Sequence, residues 1–259
     1  MAGFPNRKTI YLRNIKTKTM KKIALFSLVI FVFASGCREM AGRRIRGSGH
    51  VITENRTASG FSNIDVSGAI DVYVRQDSST SVKVEADDNI LEYIEVHTDG
   101  STLEIYTENN IRLRPSNKIK VYVSNPHYKE IQVSGASSVR CENEITSSED
   151  LHIDISGASE GSLELNAPKV SVNLTGASNA SVKGKTKDFE GSASGASEIR
   201  GFDLLSENAN VDASGASHIE IFASVKIDGE ASGASSVNYK GNAQSNVGKS
   251  GASSVNKKD

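Results

Sequence analysis

From residue 131 onward the chain alternates apolar and polar side chains in short bursts, each interrupted by the same few residues. Ile131/Val133, Ile153/Ile155, Val172/Leu174, Gly191/Ala193, Val211/Ala213 and Gly229/Ala231 stand before the interruptions. Val139/Cys141, Gly161/Leu163, Ala180/Val182, Ile199/Gly201, Ile219/Ile221 and Val237/Tyr239 stand after them. The residues between are polar: Gln132, Asp154, Asn173, Ser192, Asp212 and Glu230 before, Arg140, Ser162, Ser181, Arg200, Glu220 and Asn238 after. A period of two predicts short strands with one buried face. The interruption is [ST]-G-A-S, with its glycine at 135, 157, 176, 195, 215, 233 and 251, hence spacings of 22, 19, 19, 20, 18 and 18. Gly-Ala makes a corner without a bulky side chain, and glycine tolerates backbone angles closed to other residues. A partial copy, Ser67-Gly68-Ala69, sits far upstream.

A unit of 18–22 residues with two short strands and room for a third is one rung of a single-stranded parallel β-solenoid. The fold class predicted is therefore all-β, with rungs about 4.8 Å apart and a right-handed coil, as parallel crossovers prefer. Equivalent residues then stack in ladders. Ser137, Ser159, Ser178, Ser197, Ser217, Ser235 and Ser253 make a polar one, while Cys141 falls in line with Leu163, Val182 and Ile221 as a core residue and not a reactive thiol. One rung apart lie Glu198 and His218, Arg200 and Glu220, and Asp212 and Glu230. The first two pairs read as sheet neighbours of modest stabilising effect. The third is two acids with no third carboxylate in register, too few oxygens for Ca²⁺.

Residues 50–130 alternate over longer runs, at 61–66, 70–74, 82–84, 93–96, 103–106 and 119–123, divided by turns such as Asp99-Gly100 and Asn109-Asn110. They read as a broader, less regular N-terminal part of the same stack, with 131–255 as the regular repeats of one domain spanning 50–259. At the far end, Asn256-Lys257-Lys258-Asp259 charges the last edge and discourages end-to-end pairing.

The first residues follow a different pattern. Residues 1–36 hold seven Lys/Arg and no acid, then an apolar run at 23–34 broken only by Ser27. That run is shorter than the ~20 residues of a membrane-spanning helix and reads as a secretory signal peptide. It closes on Ala34-Ser35-Gly36-Cys37, which resembles a bacterial lipobox with Ala34 where leucine is usual. Cleavage before Cys37 and attachment of diacylglycerol to its sulfur, with palmitate as a further acyl group, would make the chain a lipoprotein. Met20-Lys21-Lys22 is a natural beginning for such a signal, so residues 1–19 are either a start-site error or a long basic lead. Residues 37–49, with Gly42, Arg43, Arg44, Arg46 and Gly47, read as the lipidated cysteine and a flexible tether.

Removing residues 1–36 leaves 31 acids against 23 bases, a net charge near −8. No basic stripe is visible along the chain, which argues against a nucleic-acid partner. Lipidation of Cys37 leaves Cys141 without a disulfide partner, and two cysteines do not make a zinc site. His50, His97, His127 and His152 are scattered.

Phe61-Ser-Asn-Ile-Asp-Val-Ser-Gly-Ala-Ile-Asp-Val-Tyr-Val74, with Val82-Lys-Val-Glu-Ala-Asp-Asp-Asn89 and Leu103-Glu-Ile105, resembles the opening of the auto-transporter adhesin "head GIN" domain family. Ile131-Gln-Val-Ser-Gly-Ala-Ser137 resembles that family's repeated core, and the likeness spans roughly 55–255. The resemblance implies a parallel β-helix-like domain of the kind carried by exported lipoproteins of Bacteroidetes. It brings no catalytic motif and no binding residues.

No G-x-S-x-G, H-E-x-x-H or phosphate-loop pattern is present. The expectation is a non-enzymatic lipoprotein held by Cys37 in the cell envelope, at the outer membrane, with no catalytic, cofactor or metal residues. It would act as an adhesin or ligand-binding module for a protein or a glycan. Two other readings stand beside it: a periplasm-facing scaffold, and a polysaccharide-acting β-helix enzyme, which would need clustered carboxylates. The mature chain lacks Trp and has only Phe61, Phe189, Phe202 and Phe222 with six Tyr, some inward like Tyr239, so an aromatic platform for sugars is not indicated.

Overall fold

The computed structural model describes residues 43–259; the expected signal peptide of 1–36, the expected lipid site Cys37 and the start of the expected tether lie outside the described residues. Strands make up the ordered elements, apart from one 3-10 turn at Leu91–Tyr93. They stack as a parallel solenoid. The strand before each corner pairs with its counterpart one rung on: Ile131 with Ile153, Ile153 with Val172, Val172 with Gly191, Gly191 with Val211, Val211 with Gly229. The strand after each corner does the same through Val139, Gly161, Ala180, Ile199, Ile219 and Val237. The sequence repeat and the hydrogen-bond register are thus one pattern. A third, shorter side joins the other two, with Leu165 opposite Gly184 and Gly184 opposite Leu204. The middle rungs accordingly run as long bent strands, Glu160–Leu174, Asn179–Ala193, Glu198–Ala213 and His218–Ala231.

Alternation decides which side chains fill the coil. Ile153, Ile155, Val172, Leu174, Val211, Ile219 and Ile221 are at most 1% exposed. Each large aliphatic side chain so buried contributes roughly 1.5–3 kcal/mol. At the corners the seven motif glycines have φ between 69° and 81°, where a Cβ is strained. They also touch. A Cβ on Gly195 would stand 2.5 Å from the carbonyl oxygen of Gly176 in the adjacent rung. The next N–H, of Ala196, donates to that same oxygen at 2.7 Å, so the ladder runs through the corner unbroken.

The serine ladder forms, turned inward. Ser137, Ser159, Ser178, Ser197, Ser217 and Ser235 are at most 2% exposed. Ser178 Oγ donates to the carbonyls of Thr175 at 2.9 Å and of Ile155, in the rung before, at 3.1 Å. Ser235 and Ser253 reach back in the same way to Ala213 and Ala231.

Ser67-Gly68-Ala69 proves to be the first corner of the stack. Asn63–Val66 pairs with Glu130–Val133, and Ile70–Gln76 with Ser138–Cys141. Between them the chain leaves to build the end of the solenoid. Thr102–Thr107 runs parallel to Asn63–Val66, and Ile119–Asn125 parallel to Ile70–Gln76. Antiparallel strands complete this end: Ser81–Asp87 on Ile119–Asn125, Val51–Arg56 on Ser81–Asp87, and Ile94–Asp99 on Thr102–Thr107. The purely parallel expectation holds for the rungs and is replaced by antiparallel pairing here.

The expected tether over 37–49 needs correction. Arg43–Arg46 is a strand paired in parallel with Ile111–Arg114, and Ile45 and Leu113 pack against the core. The turn after it is tied to Asp87, which is fully buried. Gly49 N–H donates to Asp87 Oδ1 at 2.8 Å, Ser116 N–H to Oδ2 at 2.8 Å, and Ser116 Oγ to Oδ1 at 2.6 Å. Burial acts to raise this carboxyl's pKa, but the Ser116 and Gly49 donors outweigh it and hold the pKa below the ordinary value.

Candidate binding surface

Because inward side chains are committed to packing, chemistry has to come from the outward columns. On the side after the corner, Lys83, Tyr122, Tyr73 and Arg140 follow one another across four neighbouring strands in register. The same column continues through Ser162, Ser181, Arg200 and Glu220. Tyr73 and Tyr122 stack with ring centroids 5.1 Å apart and planes 20° from parallel. Both come from the pattern Ile-x-Val-Tyr-Val, at 70–74 and 119–123, whose period of two buries the aliphatics and turns each tyrosine out.

Charged groups frame the pair. Lys120 Nζ lies 2.8 Å from Glu85 Oε1, and Tyr122 Oη donates to Glu85 Oε2 at 3.4 Å. Lys118 Nζ lies 2.8 Å from Asp71, which also accepts from Ser138 Oγ at 2.8 Å. Burial, then the Glu85 charge, raises the Tyr122 phenol above its usual pKa, so it remains a donor. Glu85 likewise holds the Lys120 ammonium in its charged form. Beside them Tyr73, Arg75, Asp77, Lys83, Tyr122 and Glu142 line a shallow depression. Such a surface offers ring edges, hydroxyls and fixed charges to a ligand that lies flat.

The side before the corner is acidic at the same end. Glu104 and Asp65 are paired in register, and Asp65 is followed on its own column by Gln132 and Asp154. Burial first, then the charges of Glu104 and Glu130, raise the Asp65 pKa. Asp212 and Glu230 are opposite one another as the repeat predicts. Among the described residues no group of three or more His, Cys, Asp or Glu is arranged to hold a metal ion.

The other two cross-rung pairs have the predicted register and different partners. Arg200 forms its ion pair with Glu198, two residues away on its own strand. His218 Nε2 lies 3.3 Å from Glu220 Oε1, also on its own strand, and its Nδ1 is 2.5 Å from Ser236 Oγ in the next rung. Residues i and i+2 share a face, and these long side chains meet along the strand as readily as across it. Cys141 turns toward the core but is only partly buried: it packs against the edge of the buried cluster, and the burial it has pushes its thiol up to about 11.

On the third side, Lys185, Lys187, Leu205, Glu207, Phe222 and Ser224 line an open groove. Its apolar step has a local cause. The register jumps from Gly201–Ile221 to Leu205–Phe222, so residues 202–204 bulge and leave Leu205 46% exposed. Lys240 Nζ sits 5.0 Å from the centroid of the Phe202 ring in that bulge. Among the described residues no helix is long and apolar enough to cross a membrane.

A protein-family model described as "Putative auto-transporter adhesin, head GIN domain" matches residues 60–243. A crystal structure of an adhesin so described from Bacteroides fragilis superimposes with a TM-score of 0.79 at 23% identity, over 83% of this chain and 100% of that one. A "lipid binding protein", so described, from Parabacteroides distasonis gives 0.65 at 21% identity, over 84% of this chain and 100% of that one. Another described adhesin, from Parabacteroides merdae, gives 0.65 at 17% identity, over 84% and 100%. These likenesses are of fold. No curated protein matches the chain significantly.

Proposed function

This chain belongs to the auto-transporter adhesin head GIN domain family, and from that premise we propose that it is an exported, non-enzymatic binding module anchored in the outer membrane through a lipid on Cys37. The observation that carries the binding role is the outward column of Lys83, Tyr122, Tyr73 and Arg140, held in register by a continuous backbone ladder. A flat, pre-ordered surface loses little side-chain freedom on binding, and Tyr and Arg are the residues that most often dominate interface energies. The family, described as an adhesin domain, supports a display surface over an enzyme cleft. The anchor rests on the basic lead, the short apolar run and Ala34-Ser35-Gly36-Cys37.

Adherence of cells carrying the wild-type chain to immobilised glycans and glycoproteins tests the binding role, with Tyr73→Ala/Arg140→Ala as the comparison. The double variant is expected to lower adherence by roughly tenfold or more, as loss of central anchors does. Equal adherence by both would remove the assigned surface from the account.

A further inference from the structure

The ribbon formed by Arg43–Arg46 and Ile111–Arg114 has an unusual charge arrangement. Its register sets Arg44 opposite Arg112 and Arg46 opposite Arg114, with Ile45 opposite Leu113 between them. Ile45 and Leu113 turn to the core; Arg44, Arg46, Arg112 and Arg114 are exposed. In-register residues of parallel strands point to the same face, so four guanidinium groups share one face of a two-stranded sheet. Directly opposed like charges destabilise a sheet, and a lone two-stranded ribbon has little stability to lose. Asp87 and Asp88, which anchor the following turn, are held by Ser116 and Gly49 and by Ser48 and His50 respectively. In a mature chain of net charge near −8 this is a concentrated positive surface.

We infer that this arginine face is a docking surface for anionic lipid headgroups of the membrane that holds the chain. Charge complementarity supplies one reason. Chain length supplies the other, and it rests on the lipid anchor proposed above. Only five residues separate Cys37 from Arg43, and at roughly 3.5 Å per residue even a fully extended link keeps the ribbon within about 20 Å of the lipid-bearing sulfur. The ribbon is therefore held within short range of the bilayer surface. There, each arginine strengthens attraction to an anionic surface roughly fivefold. The solenoid would be set on the membrane in a defined orientation by lipid and arginines together.

The test uses residues 38–259, which contain every described core residue and lack Cys37, so that no acyl chain contributes. Co-sedimentation with vesicles of phosphatidylcholine plus phosphatidylglycerol is compared with pure phosphatidylcholine. Binding is expected to the anionic vesicles alone, to weaken as salt shortens the range of the field, and to fall at least tenfold in Arg46→Gln/Arg112→Gln/Arg114→Gln. The corresponding triple lysine variant should fold and retain binding, because it keeps the charge. Equal binding to both vesicles, or an unchanged glutamine variant with native circular dichroism, would overturn the proposal. So would full displacement by dilute inorganic phosphate, which would indicate a small-anion pocket. The anchor fails separately: intact-protein mass of the membrane-extracted chain without a lipid on Cys37 would sink that reading while leaving the vesicle result standing.

Discussion

Two demands meet at each corner glycine, a left-handed backbone and contact with the carbonyl of the adjacent rung. Gly195 shows both, with φ 81° and 2.5 Å of space for a Cβ. Gly195→Ala should therefore destabilise the protein by about 2–3 kcal/mol or more, read as a lower urea midpoint with unchanged circular dichroism before the transition. The serines beneath the corners divide into two groups. Ser178 Oγ reaches two carbonyls, whereas Ser159 and Ser217 Oγ are buried without a partner. Ser178→Ala is expected to cost about 1 kcal/mol and Ser217→Ala distinctly less, a difference that paired denaturation curves resolve. Cys141, with its thiol pushed up to about 11, should resist thiol reagents at neutral pH until the chain is unfolded; prompt labelling of the native protein would contradict its packing. The glycine corners were legible in the sequence because repetition exposes any position that admits only one residue. The inward turn of the serines was equally available, since Ser137, Ser159, Ser178 and Ser197 stand two residues before the inward Val139, Gly161, Ala180 and Ile199.

At the scale of elements, the end of the solenoid depends on Asp87. Its folded pKa is held below the ordinary carboxylate value, so its contribution is present above the unfolded value of about 3.9 and is lost as pH falls through the folded pKa. Hydrogen exchange should show the strands Arg43–Arg46, Val51–Arg56 and Ile111–Arg114 opening in acid before the repeated rungs do. Asp87→Asn should open the same segments at neutral pH, a loss of about 1–3 kcal/mol for donors left unpaired. These strands are also where sequence reading fell short. Val51–Arg56 and Arg43–Arg46 lie at the edge, with few buried positions to betray alternation. Ile111–Arg114 is only four residues long. Their pairing is antiparallel or distant in sequence, which a local period cannot report. The Tyr73–Tyr122 pair was available: the pattern Ile-x-Val-Tyr-Val occurs twice, and reading each tyrosine as outward would have put an aromatic pair on the surface.

For the molecule as a whole, the ladder makes each rung depend on its neighbours, so damage should act through adjacent rungs and not through the entire core. The C-terminal strand Ser254–Lys257 pairs with Ser236–Lys240 on one side and ends the stack with Lys257, Lys258 and Asp259 exposed. Its removal should therefore cost less than an equal deletion among the middle rungs. Fold and family were legible because one repeat governs residues 131–255 and a partial copy marks 67–69; the ligand was not, because outward residues vary freely from rung to rung without affecting the coil. The proposed signal peptide and lipid on Cys37 would carry the remaining step, from a solenoid to a protein anchored in the cell envelope. Cys37→Ser should release the chain from membranes washed in high salt, which also screens the arginine face, and retention of the variant there would remove the anchor. The most direct measurement is antibody labelling, on intact cells, of a tag placed after Asp259, with a periplasmic protein as control. The account predicts labelling of the tag while the control stays protected. A tag that becomes accessible only when the outer membrane is broken would contradict surface display and point to a scaffold facing the periplasm.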